Sequence, residues 1–204
     1  MAIVIDALEI VSSKKRLPCE AFFVDTNIII YHRDPFAESA FDYYKKILNE
    51  RVTNCIHYFR SDHSKCFSVI SVAIEFYKFI QVGSYNIFTG AKKMDLEHFK
   101  KLRLNDKEFQ KKWQITLKQY EKCFTKYFPL YGVYASTDIF QNFDGMLVDF
   151  GDYALFDTVM NSKKEWFCIF SNDSDFYSFP NDLYLLTLNE DMIKRAKLEG
   201  KIYS

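Results

Sequence analysis

Apolar residues along this chain follow two rhythms. Short unbroken runs, Ala21 to Val24 and Trp166 to Phe170, read as strands buried on both faces of a parallel sheet. Cys66 to Ser71, Tyr131 to Ala135 and Leu183 to Leu188 are weaker or shorter strand candidates. Apolar positions three and four apart predict helices over about Ala37 to Phe59, Val72 to Ile80, Tyr153 to Ser162 and Glu190 to Leu198. The longest stripe (Phe109, Trp113, Leu117, Tyr120, Phe124 and Phe128) predicts an amphipathic helix whose Lys111, Lys118 and Lys122 point elsewhere. Strands alternating with helices predict a mainly parallel central sheet covered on both faces.

The 204 residues suffice for one substantial core, so a single domain over 1–204 is expected. Apolar residues make up 49% and glycine and proline only six and four positions, which excludes disordered and fibrous classes. Lys+Arg and Asp+Glu are both 27, so no whole-molecule field draws in nucleic acid. The charge is nonetheless segregated: residues 84–130 hold eleven Lys/Arg against five Asp/Glu. This stretch reads as a basic helical insertion. The odd count of five cysteines, with no C-x-x-C pair, argues against a disulfide framework or a zinc site and for a reducing cytoplasm. The run from Met1 to Val11 carries Asp6 and Glu9 and no basic leader, which reads against a signal peptide. No stretch approaches the ~20 apolar residues that cross a bilayer.

Each acid taken alone fits an ordinary turn or helix cap. Their placement together suggests more. Asp25 and Asp173 end apolar strands, while Glu75 and Asp152 fall near helix starts, positions that a doubly wound sheet brings to one edge. Glu75 is also one place out of register for a capping box from Ser71. Two carboxylates ~4 Å apart repel by about 4 kcal/mol at an effective dielectric near 20, so a four-acid site needs a cation or retained protons. All-oxygen ligation suits Mg²⁺ or Mn²⁺. Such ions serve phosphodiester hydrolysis, which predicts a metal-dependent nuclease. His32, His57, His63 and His98 show no ligand spacing.

Four segments, Phe23-Val24-Asp25-Thr26-Asn27-Ile28-Ile29, Ile70-Ser71-Val72-Ala73-Ile74-Glu75, Asp152-Tyr153-Ala154-Leu155-Phe156-Asp157-Thr158 and Ser171-Asn172-Asp173-Ser174-Asp175-Phe176, resemble in order the acidic motifs of the PIN-domain nucleases, which include the VapC-type toxins. The resemblance covers about residues 21–198 and is most specific in its first and last motifs. It implies a three-layer α/β/α sandwich and endonucleolytic cleavage of RNA. It implies that Asp25, Glu75, Asp152 and Asp173 bind Mg²⁺ or Mn²⁺ directly or through water. Thr26, Asn27 and Ser171 would orient those carboxylates, with Asp175 assisting from just outside. A chain of the toxin type would also meet an antitoxin protein. The family usually has small residues where this chain carries Phe156 and Asp157, so Asp157 stands as an alternative third acid or added ligand; aligning Asp152 also matches Thr158 to a Thr common in the family. The 84–130 region is longer than the compact toxins carry, and residues 1–20 have no counterpart.

Within the basic region, Lys100, Lys101, Arg103, Lys111 and Lys118 are candidate phosphate contacts, with the solvated face of a helix as their bland alternative. The aromatic stripe reads as core or homodimer seam before base-stacking platform. Two rival functions remain. One is a PIN-like module that only binds RNA or protein. The other is an Asp-dependent phosphatase, since Asp173-Ser174-Asp175 resembles a D-x-D-x-T motif with Tyr177 in place of the Thr.

Overall fold

A computed structural model describes residues 2–33, 43–61, 65–131, 149–162, 167–179 and 183–203. Five strands, β1 (Ile3–Asp6), β2 (Ala21–Val24), β3 (Lys65–Phe67), β4 (Phe167–Phe170) and β5 (Tyr184–Thr187), form one all-parallel sheet in the order β1-β5-β4-β2-β3. Eight α-helices accompany them among the described residues: α1 (Ala7–Ser12), α2 (Thr26–Arg33), α3 (Tyr43–Ser61), α4 (Ile70–Thr89), α5 (Leu96–Asn105), α6 (Lys107–Lys122), α7 (Phe150–Asn161) and α8 (Glu190–Leu198). The protein is α/β, and the arrangement is compatible with a three-layer α/β/α sandwich.

The two central strands are the ones with unbroken apolar sequences, and all eight of their residues are buried. Adjacent side chains of β2 go to opposite faces. Phe22 packs edge-on against Phe59 of α3 and against Phe170, while Phe23 packs against Phe67, Tyr131 and Phe167. Such two-sided burial is what a parallel sheet demands. The right-handed crossover rule then assigns the layers: connections running toward β3 carry α1, α2 and α3 on one face, and the connection running back from β3 to β4 carries α4 to α7 on the other. Packing of α1 on α3 and of α4 on α7 agrees, and α2 also packs on α4, so the two groups of helices touch.

Several expectations change. The first strand is Ile3–Asp6, where the sequence suggested no counterpart; Asp6 ends it and caps α1 by accepting from the Leu8 and Glu9 N–H groups. The candidate Cys66 to Ser71 strand is the three-residue β3, and α4 begins at Ile70 and runs on to Thr89, where Gly90 ends it at φ 71°. Residues 84–89 therefore complete α4. The basic region beyond them holds α5, α6 and a π-turn at Cys123–Tyr127. Its aromatic stripe is core: Phe109 and Trp113 are buried, and Tyr77 of α4 meets both Trp113 and Tyr120. The Tyr120 hydroxyl donates to the Ala73 carbonyl at 3.1 Å. Of Ala37 to Phe59 the part before residue 43, and of Tyr131 to Ala135 all but Tyr131, lie outside the described residues, as do Trp166 of the Trp166 to Phe170 strand and His63. Among the described residues no helix is long and apolar enough to cross a membrane.

Candidate active site

Strand order decides where a site can form. From β2 the chain turns outward to β3, and from β4 it turns the opposite way to β5, so these neighbours diverge at their C-terminal ends. Such a switch point opens a crevice where ligands bind in parallel sheets. Val24 pairs with Phe170 in register, and the ladder runs one step further as the Asp25 N–H donates to the Phe170 carbonyl at 3.1 Å. Asp25 and Ser171 thereby leave the sheet side by side.

Their side chains join directly. The Ser171 hydroxyl donates to Asp25 Oδ2 at 2.7 Å and accepts the Asp173 N–H at 2.9 Å. The Asn27 amide donates to Asp25 Oδ2 and to Ser171 Oγ, while its Oδ1 accepts the Asn172 N–H. The Thr26 N–H donates to Asp25 Oδ1, and the Thr26 hydroxyl donates to Glu75 Oε2 at 2.6 Å. Thr26, Asn27 and Ser171 thus hold carboxylates in place.

Glu75 comes from α4, whose N-cap is Val69, so it sits on the second turn rather than the first. Ser71 forms no capping bond; its hydroxyl is buried without a partner among the described residues. Asp152 is not the N-cap of α7. Asp149 fills that role, accepting the Gly151 N–H at 2.7 Å, and leaves the Asp152 carboxylate free of capping duty in the first turn. A Cβ built on Gly151 would lie 3.9 Å from Glu75 Oε2, which puts the start of α7 beside α4's acid.

The electrostatics register the same convergence. Burial pushes Asp25 up from 3.8 to about 7, with the charges of Glu75 and Asp173 adding to it and the Ser171 and Thr26 hydrogen bonds opposing it. Asp152 rises to about 8, first through burial and then through Asp25, Asp173, Glu75 and Asp149. A carboxylate in the first turn of a helix is ordinarily favoured in its charged form. Here the like charges and burial win.

Asp157, five positions beyond Asp152, lies about 7.5 Å further along α7. It is buried, and its charge is felt by Tyr153. Asp175 is exposed and gives its N–H to Asp173 Oδ1, so Asp173 also caps the 3₁₀ turn Ser174–Ser178. The Tyr177 hydroxyl donates to Glu199 at 2.7 Å. Lys100, Lys101 and Arg103 on α5 and Lys111 and Lys118 on α6 are all exposed, and Lys100 pairs with Glu97 at 2.7 Å. α6 packs on α4, the helix that carries Glu75.

Two contributors escaped the sequence reading. Asp149 could have been found as an Asp just ahead of an apolar-periodic run. Asn172 ties the ends of three elements, accepting the Leu188 N–H at 2.9 Å while its carbonyl accepts from Asn189 Nδ2 at 3.0 Å; no local pattern signals that.

All-carboxylate donors, two of them held protonated up to about 7 and 8, suit a hard divalent cation whose charge offsets their repulsion. As the side chains stand, no three His, Cys, Asp or Glu residues among the described ones form a ligating group. Mg²⁺ commonly keeps several waters and takes only one or two carboxylates directly, so the donor set still fits it. Comparison with protein families, with curated proteins and with solved structures yields no match to this chain.

Proposed function

We propose that the protein is a divalent-metal-dependent endoribonuclease. One observation carries the reading: at the switch point of a parallel sheet, Asp25 after β2 and Asp152 of α7 are raised to about 7 and 8 by burial, with the charges of Glu75 of α4 and Asp173 after β4 adding to it. Asp25, Glu75, Asp152 and Asp173 would hold Mg²⁺ or Mn²⁺, directly or through water. The ion would supply a hydroxide-like nucleophile and offset charge on the leaving oxygen. The Ser171 and Asn27 side chains fix the Asp25 carboxylate, and the Thr26 hydroxyl fixes Glu75. RNA as the substrate, a reducing cytoplasm and an antitoxin partner rest on the sequence reading and its resemblance to PIN-domain nucleases. The exposed lysines of α5 and α6 would contribute salt-sensitive attraction to the phosphate backbone.

The test is cleavage of a labelled RNA by purified protein in Mn²⁺, with EDTA as the control. Asp25→Asn, Asp152→Asn and Asp173→Asn should each reduce cleavage at least a hundredfold with unchanged circular dichroism. Asp157→Asn should stay within a few-fold of wild type. Undiminished cleavage by the Asp25 or Asp173 variant defeats the proposal. The phosphatase reading is disfavoured because Tyr177, in the motif's Thr position, is engaged with Glu199. Hydrolysis of a small phosphomonoester by the wild type would revive it.

A further inference from the structure

A pocket of about 790 Å³ lies where α2 and α3 meet α4 and α6, and none of the four acids lines it. This volume is within the ~300–1,000 Å³ of small-ligand sites. Its charged lining is Arg33, Lys46 and Lys122 against one carboxylate, Glu50. The positive bias acts on a neighbour: His32 is pushed down to about 3, by burial first and then by Arg33, His57 and Arg60. His32 is thus a neutral wall residue, its Nδ1 hydrogen-bonded with the Thr53 hydroxyl at 3.1 Å.

Arg33 is the informative residue. Its guanidinium carbon lies over the Tyr127 ring, 3.6 Å from the centroid. Its Nε is buried and finds no acceptor among the described residues. A guanidinium carries further N–H donors beside Nε, and as a lining group of the pocket Arg33 can offer them to an anionic oxygen. Beside the cations the pocket is aromatic and apolar, with Phe76, Ile80 and Tyr120. Asn54 and Gln119 add side-chain amides, which offer both donors and acceptors. Cations for a phosphate, aromatic surface for a flat ring and amides for its polar edge together match one ligand class.

We infer that this pocket binds a nucleotide, with its phosphate on Arg33, Lys46 and Lys122 and its base against the aromatic wall. The inference stands apart from the nuclease proposal, because binding requires neither metal nor cleavage. The two are spatially compatible: Arg33 ends the helix that Thr26 begins, about 10 Å away at ~1.5 Å per residue. Either a free mononucleotide or one unit of an RNA strand carries the required chemistry.

Calorimetry in EDTA separates these sources. Adenosine 5′-monophosphate, adenosine and inorganic phosphate serve as small probes, and a fluorescein-labelled hexanucleotide RNA is read by anisotropy. The monophosphate or the hexanucleotide should bind, adenosine should bind at least tenfold more weakly than its phosphate, and Arg33→Gln should weaken the bound probe at least tenfold. Lys46→Gln, at a helix-surface position, provides a second variant expected to weaken binding several-fold with the fold intact. Binding of the hexanucleotide alone assigns the pocket to an RNA strand, and binding of the monophosphate alone assigns it to a free nucleotide. No binding of either probe at millimolar concentration overturns the inference. So does binding unchanged in both variants, or inorganic phosphate binding as tightly as the nucleotide.

Discussion

Raising the pH of the protein in EDTA should weaken it, and the acid cluster sets the size of the effect. Asp25 ordinarily loses its proton near 3.8 and in the fold keeps it to about 7. Across that interval the folded chain binds a proton that the unfolded chain has released. The contribution is therefore complete below about 4 and is lost as the pH climbs through 7. At about 1.4 kcal/mol per pH unit, Asp25 alone accounts for a loss of about 4 kcal/mol. That is a large part of the ~5–15 kcal/mol by which a domain is stable. Asp152, raised to about 8, acts in the same direction, but it is partly exposed and solvent screening reduces its weight. His32 acts oppositely. Its pKa falls from 6.5 to about 3, so its contribution is present above 6.5 and is lost as the pH drops toward 3. It is constant where Asp25 and Asp152 finish titrating, and it cancels between wild type and Asp25→Asn. Urea unfolding in EDTA from pH 4 to 8.5 should show the stability of wild type falling relative to Asp25→Asn by about 4 kcal/mol. Millimolar Mn²⁺ at pH 8 should restore the wild type by binding the folded state and leave the variant unmoved. A difference between the two proteins that stays flat across this range refutes the claim that Asp25 is buried among like charges.

Removing the Ser171 hydroxyl takes a donor from Asp25 and an acceptor from the Asp173 N–H, so Ser171→Ala should cost about 1–3 kcal/mol in urea unfolding and raise the Asp25 pKa further. Trp113 is 4% exposed and meets Phe99 and Tyr77, so Trp113→Ala should cost about 3–5 kcal/mol. A loss below ~0.5 kcal/mol, normal for surface positions, would mean that α6 is not part of the core.

The sequence disclosed the centre of the sheet and the acids best. Ala21–Val24 and Phe167–Phe170 are apolar without interruption because both faces are covered, and the bounds of Glu190–Leu198 follow from its spacing and the Asn189 cap. The edges were harder to read. β1 has only three apolar residues before Asp6, and it becomes a strand through its pairing with β5. The end of α4 carries Gly83 and Ser84, poor helix formers, yet it stays helical as Phe88 packs on Phe109 and the Tyr85 hydroxyl pairs with His98 at 3.0 Å. The pocket around Arg33 could not be anticipated, since its walls come from four helices far apart in sequence with no shared spacing.

The placement of the acids calls for a function. A bland reading makes each of them a turn or cap residue, which stabilises by taking up orphan N–H groups. Asp173 does so at a turn, accepting the Asp175 N–H, and Asp25 does so at the start of α2, accepting the Thr26 N–H. At α7 the cap is Asp149, so Asp152 is not needed there, and α4 starts from Val69 with no side-chain cap at all, so Glu75 serves no capping box. Asp25 accepts hydrogen bonds from Ser171, Asn27 and Thr26, yet burial beside Glu75 and Asp173 still outweighs them and holds its pKa near 7. At neutral pH an uncharged side chain at position 25 would spare the fold that penalty. A neighbourhood that orients a carboxylate through three donors while opposing its charge is suited to meeting a cation, and it is poorly explained by stability alone.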